Sequence, residues 1–165
     1  MYSPYLCRVL ESQASQSGGP SNCSGRLLWK VLLSDCNGCK VTSPSFYTGY
    51  PGYKVKAVFD IHGCVEGNVT YSSVSLKLEK GRFDQQMDSR NMLGRCSVFV
   101  LNQENFTRSE LATQFRCTGQ APKNEGQTVI LGNRWKFARL SELMQGIYLK
   151  DGFLVLEICV EHIAV

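Results

Sequence analysis

The residues of this sequence that are best suited to chemistry are its eight cysteines and two histidines. The run from Cys36 to Cys39 has the Cys-x-x-Cys spacing of zinc sites and redox-active disulfides. A structural zinc ion needs four ligands, and no second pair with a similar spacing follows in the sequence. Asn37-Gly38 between the cysteines is a strong signal for a tight turn, because both residues tolerate a positive φ. We therefore predict that the two cysteines flank a turn and bind no metal.

The histidines do not fall into a recognisable catalytic motif. His62 lies at the end of a predicted strand, and His162 lies near the end of the chain. The sequence contains no Gly-x-Ser-x-Gly, His-Glu-x-x-His or phosphate-binding loop. Asp84 and Asp88 have no second acidic cluster with which to form a metal site. A Cys–His pair stays open, since folding alone could create one. We predict a binding module that is not an enzyme and has no catalytic residue, metal or cofactor.

The charge of the chain does not indicate a nucleic acid partner. The formal net charge is +4, and the best basic cluster consists of Arg134, Lys136 and Arg139. Nucleic-acid-binding surfaces usually concentrate Lys and Arg on one face, whereas we interpret this cluster as a solvated strand edge. The sequence also lacks a run of about 20 apolar residues that could span a bilayer. We therefore predict neither nucleic acid binding nor membrane insertion.

The cysteines and the Asn-x-Ser/Thr triplets bear on the cellular compartment. An even number of cysteines fits a secreted disulfide framework, but such frameworks usually occur in smaller chains. The triplets at Asn22, Asn68 and Asn105 have the pattern of glycosylation sites, which would matter only in a secreted protein. Residues 1–20 lack the apolar centre of a signal peptide. We predict a cytoplasmic protein with free thiols, and secretion stays the alternative.

The segments that must position any binding residues have the patterns of short strands. Residues 1–24 are rich in Ser, Gly and Gln and predict a flexible leader or linker, whereas residues 25–165 predict one domain. Apolar and polar residues alternate from 54 to 62, which predicts a half-buried strand with Val58 and Asp60 on its exposed face. Its predicted core face consists of Val55, Ala57, Phe59 and Ile61.

The other predicted strands differ in their patterns. Residues 26–34 are apolar on both faces, which predicts a strand in the interior of a sheet that ends in the Asn37-Gly38 hairpin. Further strands are predicted at residues 74–78, 95–103, 128–138 and 153–160, the third of them broken at Gly132-Asn133. Phe106 and Phe115 flank a polar segment, and Ser141 caps a short helical turn. Together these patterns predict an all-β, antiparallel β-sandwich of seven to eight strands.

Two motifs near the start of the domain resemble a known family. The run from Gly25 reads Gly-Arg-Leu-Leu-Trp-Lys-Val, and the run from Ser43 reads Ser-Pro-Ser-Phe-Tyr-Thr-Gly-Tyr-Pro-Gly-Tyr-Lys. Both are similar to the C-terminal domain of TNF-receptor-associated factors, which forms part of the meprin-and-TRAF-homology (MATH) family. The resemblance extends over residues 25–162. It implies an eight-stranded antiparallel sandwich, often trimeric below an upstream coiled coil, that binds short receptor peptides along a sheet edge.

The resemblance also implies a set of peptide-binding residues. Phe106 and Phe115 match the paired aromatic floor of the family, and Gly132 matches its Ser-Gly-Cys wall. Other positions depart from the family: Val58 and Asp60 replace an Arg and a Tyr, Ser75 replaces an aromatic residue, and Ala112, Thr113 and Gln114 replace three serines. The implied peptide-binding residues are Val58, Asp60, Ser75, Phe106, Thr113, Gln114, Phe115, Leu131, Gly132 and Asn133.

The resemblance leads to one main hypothesis and two alternatives. In the first, the domain is an adaptor or the substrate-recognition module of a ubiquitin ligase, and its partners are receptor tails or substrate peptides. In the second, it is the accessory domain of a larger enzyme, such as a secreted protease or a deubiquitinase. In the third, it is a structural assembly module with a vestigial groove, and its trimer contacts matter most.

Overall fold

The computed structural model describes residues 23–36, 38, 40–87 and 92–163, so the predicted leader, residues 1–24, lies almost entirely outside it. The described residues form nine strands, a short 3-10 helix at Leu33–Cys36 and one short α-helix, α1 (Leu140–Leu143). The strands are β1 (Arg26–Leu32), β2 (Val41–Thr42), β3 (Phe46–Tyr47), β4 (Lys54–Glu66), β5 (Val69–Glu79), β6 (Met92–Asn102), β7 (Thr107–Gly119), β8 (Thr128–Arg139) and β9 (Phe153–His162).

The strands form two antiparallel sheets. Sheet I has the order β1-β9-β6-β7, and sheet II has the order β2-β4-β5-β8 with β3 also paired to β4. Seven strands have at least seven residues, whereas β2 and β3 have two residues each. The predicted all-β, antiparallel β-sandwich is therefore confirmed.

The core lies between the two sheets and follows from the alternation along each strand. Val55, Ala57 and Phe59 of β4 are fully buried, as the alternation predicts. They belong to one apolar cluster with Leu156 and Ile158, which β9 contributes from the opposite sheet. Burying a side chain the size of Val, Leu, Ile or Phe stabilises the fold by about 1.5–3 kcal/mol, so the facing strands hold the two sheets together.

The position of the first strand differs from the predicted one. β1 forms an edge of sheet I and pairs only with β9, so the prediction of an interior strand is wrong. Its second apolar face is buried for another reason, because Leu28 belongs to an outer cluster on the outer face of sheet I. That cluster consists of Leu28, Leu101, Phe153 and Val155, with Phe106 packed against it.

The predicted hairpin after β1 is also wrong. The chain leaves β1 through the 3-10 helix and crosses to sheet II, where β2 pairs with β4. A hairpin would need both flanking strands in one sheet, but β1 pairs with β9 in sheet I whereas β2 pairs with β4 in sheet II. Asn37 and Cys39 lie outside the described residues, so the absence of zinc at Cys36 and Cys39 stays a prediction.

A strand is present where a polar segment was predicted between Phe106 and Phe115. β7 spans this segment, and its exposed and less exposed residues alternate. Leu111, Thr113 and Phe115 occupy the less exposed positions, so part of the inward face is polar. An edge strand buries less of its surface than a central one, which explains why its sequence pattern is weak.

One carboxylate is buried on the outer face of sheet I. The Glu157 side chain is only 3% exposed, and Arg26 Nε donates a 2.7 Å hydrogen bond to its Oε2 atom. Arg108 donates to the other oxygen, and its guanidinium lies 4.2 Å from the centroid of the Phe99 ring. The hydrogen bond to Glu157 raises the pKa of Arg108. Arg26 and Arg108 thus connect β1 and β7 to β9 through a single acid.

Candidate functional site

Two edge strands meet at one side of the sandwich. β7 ends sheet I and β8 ends sheet II, and within the described residues no further strand pairs with either outer edge. We call the line along which β7 and β8 pack together the seam. Unpaired N–H and C=O groups on such an edge can accept another extended chain as an added strand. The seam is therefore the candidate binding surface.

An aromatic stack closes the middle of the seam. The rings of Phe115 on β7 and Trp135 on β8 are stacked with centroids 5.4 Å apart and an interplanar angle of 14°. Phe115 is buried, whereas Trp135 remains 39% exposed. Aromatic stacking adds about 0.5–1.5 kcal/mol to the area that the rings bury. The stack therefore holds the two edges together and leaves part of the indole open to a ligand.

A bulge in β8 shapes the seam next to this stack. Leu131 pairs with Leu76 and Trp135 pairs with Val74, so four residues along β8 span the distance of two along β5. Gly132 lies in this bulge with a φ of +74°. The predicted break at Gly132-Asn133 is thus a bulge within a continuous strand. Bulges re-aim side chains, and this one lies beside the exposed tryptophan.

We expect Gly132→Ala to lower the free energy of unfolding by about 1–2 kcal/mol, because an L-residue is strained at this φ. No steric clash adds to that cost, since the nearest neighbour of an added Cβ would be the Arg116 carbonyl oxygen at 3.7 Å. Urea denaturation measures the change. The control is Gly146→Ala, where an added Cβ meets nothing within 4 Å. Equal stability of the two variants would contradict the strain argument.

The structure brings six of the predicted site residues to the seam, although they do not all face the same way. Leu131, Gly132 and Asn133 lie on β8, and Thr113, Gln114 and Phe115 lie on β7. Gln114 Nε2 donates a 3.0 Å hydrogen bond to Ser97 Oγ of β6 and alternates with Thr113, so the two point to opposite faces.

Three predicted residues lie on sheet II beside the bulge. Val58 pairs with Ser75, and Asp60 is two residues further along β4. Val58 is only 5% exposed, so its predicted place on an exposed face is wrong. Asp60 Oδ2 lies 3.8 Å from Arg134 Nη1, which brings a cation from β8 against it. β4 has Val58 where the resemblance implies an Arg. Arg134 of β8 places a cation near this part of β4 instead.

Phe106 does not join the other site residues. It lies in the turn before β7 with a φ of +59° and packs against the outer cluster of sheet I. Phe115 belongs instead to the main core between the sheets. The two phenylalanines thus lie in separate apolar clusters, and the aromatic surface of the seam consists of Phe115 with Trp135.

A groove with a volume of about 240 Å³ opens at the end of the seam next to α1. It is smaller than the 300–1,000 Å³ of typical small-molecule sites, so its size suits one side chain. Glu142 lies in α1, and its carboxylate accepts a hydrogen bond from the Arg139 backbone N–H at 3.4 Å. The N-cap of α1 is Arg139, so the prediction of Ser141 as the cap is wrong. The lining residues are Glu110, Leu111, Ala112, Thr113, Lys136, Phe137, Ala138 and Glu142.

The sequence patterns did not identify the residues that provide the exposed aromatic and cationic groups of the seam. Trp135 was assigned only to a strand, and its neighbours Arg134 and Lys136 were interpreted as a solvated edge. Lys136 Nζ lies 3.2 Å from Glu66 Oε2 and 4.6 Å from the centroid of the Tyr71 ring. The available signal was an aromatic residue between two cations on a strand broken by glycine.

The described residues offer no metal centre, and most of their cysteines are free thiols. Among them, no group of three or more His, Cys, Asp or Glu residues is placed to hold a metal ion. Cys36, Cys64, Cys96, Cys117 and Cys159 are free cysteines. Burial raises the pKa of the Cys117 thiol to about 11, which keeps it protonated and unreactive at neutral pH. No helix in the described ranges is long and apolar enough to cross a membrane.

Comparisons with known proteins agree with this fold. The family described as MATH domain matches residues 28–160. The TRAF5 structure from Notothenia coriiceps superposes with a TM-score of 0.62 and 20% sequence identity, covering 98% of this chain and 84% of that one. An identity this low shows a shared fold alone. No curated protein matches the chain.

Proposed function

The chain belongs to the MATH domain family, which has the fold of a protein-interaction domain, and we propose that it binds short extended peptides along the seam. The peptide adds as a strand to the edge of β8, so main-chain hydrogen bonds supply sequence-independent affinity. Side chains that alternate along the added strand then supply the specificity. The peptides belong to receptor tails or to substrates, and the domain serves as an adaptor or as the substrate-recognition part of a ubiquitin ligase.

The observation that carries the proposal is the free edge of β8 beside a partly exposed tryptophan. Exposed aromatic residues next to a polar rim are typical of the central contacts of protein interfaces. Trp135 is held in place by its stack on Phe115, so it loses little conformational freedom when a ligand binds. The ligand therefore places an apolar residue against this indole.

The free thiols of Cys36, Cys64, Cys96, Cys117 and Cys159 are in keeping with a cytoplasmic domain. Disulfides usually form in secreted proteins, whereas thiols persist in the reducing cytosol. The alternatives are an accessory domain of a larger enzyme and an assembly module with a vestigial groove. Specific peptide binding by the isolated domain argues against the assembly module, and a catalytic domain in the same gene would favour the accessory role.

We expect receptor peptides of the Pro-x-Gln-x-Thr/Ser type not to bind measurably. Arg134 pairs with Asp60, so within the described part of the chain this cation is not free for an acidic ligand residue. Gln114 donates to Ser97, and its neighbours Ala112 and Thr113 provide a single hydroxyl for a ligand Gln. Each missing hydrogen bond costs about 0.5–1.5 kcal/mol, which is large for weak peptide ligands.

The test is selection from a phage-displayed library of random 12-residue peptides, followed by calorimetry of the selected and receptor-type peptides. NMR shift changes on binding are expected along β7 and β8. Chain elements remote from the seam, such as β1, provide the internal control. Failure to select any peptide, or shift changes confined to β1 and β9, would overturn the proposal. Submillimolar binding of the receptor-type peptides would refute the expected selectivity alone.

A further inference from the structure

The groove at the end of the seam carries acidic groups that no described cation neutralises. Glu110 on β7 has no ion-pair partner among the described residues, and Glu142 accepts only a long backbone hydrogen bond from Arg139. Lys136 is the one cation in the lining, and Glu66 already binds it at 3.2 Å. Two acidic residues from different elements thus line one small opening, and neither has an ion-pair partner among the described residues.

The rest of the lining is mainly polar at its accessible surface, with a smaller apolar part. Leu111, Ala112, Phe137 and Ala138 contribute that apolar part, and Thr113 adds one hydroxyl. Lysine and arginine bury their methylene stems against apolar surface while their charged ends reach polar groups. An aspartate or glutamate would lack a cationic partner here and would be repelled by both carboxylates.

From this charge complementarity we propose that the groove is a specificity pocket for a lysine or arginine side chain of the bound peptide. The inference rests on the proposed function, because the peptide must already lie along the seam. Phe137, two residues beyond Trp135 on β8, is one of its lining residues. Residues two apart on a strand point to the same face, about 7 Å apart. The ligand therefore has its basic residue two positions from the apolar residue that contacts Trp135.

The test compares peptide selection from the same random 12-residue library by three proteins. The wild-type protein is expected to select peptides with Lys or Arg two positions from an apolar residue. Glu110→Gln/Glu142→Gln should bind a wild-type-selected peptide at least tenfold more weakly, although the new amide at position 142 keeps an oxygen for the Arg139 N–H. Glu110→Lys/Glu142→Lys should select Asp or Glu at the same position. Glu110→Gln alone is also measured in case the double variants misfold, because a single substitution at an exposed site should leave the fold intact.

The matched control is Glu104→Gln/Glu161→Gln, which removes the same charge at two exposed sites outside the groove and should bind like the wild type. Seam-binding peptides without a basic residue, or a basic preference that survives Glu110→Gln/Glu142→Gln, would overturn this inference and leave the proposed function intact. If the matched control weakened peptide binding equally, the loss of affinity would come from net charge alone. That result would also overturn this inference. Failure to select any peptide would overturn both.

Discussion

Trp135→Ala is expected to weaken the binding of seam-selected peptides at least about thirtyfold, which corresponds to about 2 kcal/mol. The indole provides exposed apolar surface in the middle of the seam, and alanine would remove this contact with the apolar residue of the ligand. The substitution also removes the stack on Phe115, so some stability is lost as well. Calorimetry on the purified variant measures the affinity, and urea denaturation shows what fraction is folded.

Two further variants separate the loss of the indole from general effects. Trp135→Phe keeps a stacking ring and should lose less affinity than Trp135→Ala. Tyr50→Ala removes an aromatic residue that is 72% exposed but lies in the turn before β4, outside the seam, and should leave the affinity unchanged. Full affinity in folded Trp135→Ala, or an equal loss in Tyr50→Ala, would contradict a central role for Trp135.

Arg26→Met/Arg108→Met is expected to lower the free energy of unfolding by about 3 kcal/mol or more. Both cations hydrogen-bond to Glu157, whose side chain is only 3% exposed. Their removal leaves a buried carboxylate with no opposite charge, and such a group is strongly destabilising. Each single substitution leaves one arginine in place and should cost much less. Urea denaturation of the three variants measures these differences.

The triple variant Arg26→Met/Arg108→Met/Glu157→Leu tests the cause of that loss. Replacing a buried ionic group with apolar residues of similar size is often neutral or stabilising, so the third substitution should restore most of the lost stability. Glu157→Gln leaves the arginines intact, and both are about half exposed, so its cost should be smaller than that of the double variant. A triple variant no more stable than the double variant would contradict the argument from charge burial.

Much of the fold could be predicted because the residues that specify it act over short distances along the chain. The alternation in residues 54–62 places Val55, Ala57 and Phe59 on one face, and the structure buries these side chains completely. A strand with one apolar face must cover it, and many such strands without long helices favour two packed sheets. The resemblance in the motifs at Gly25 and Ser43 pointed to the same fold.

Local patterns were misleading wherever a distant strand decided the outcome. Asn37-Gly38 is a hairpin signal, yet β1 pairs with β9 from the other end of the chain. β7 looked polar because it lies at a sheet edge, with polar residues on its inward face as well as its outward one. Val58 looked exposed because it alternates with core residues, yet it is only 5% exposed.

The sequence by itself determined most of the long strands, the main core face of β4 and the class of fold, because each depends on residues a few positions apart. Only the tertiary structure decided which side chains share a site. It placed Phe115 against Trp135, moved Phe106 to the outer cluster of sheet I, and brought Asp60 to Arg134. It also brought Glu110 and Glu142 to one groove. These neighbours come from different elements, and strand pairing and sheet packing set their distances, which no local pattern encodes.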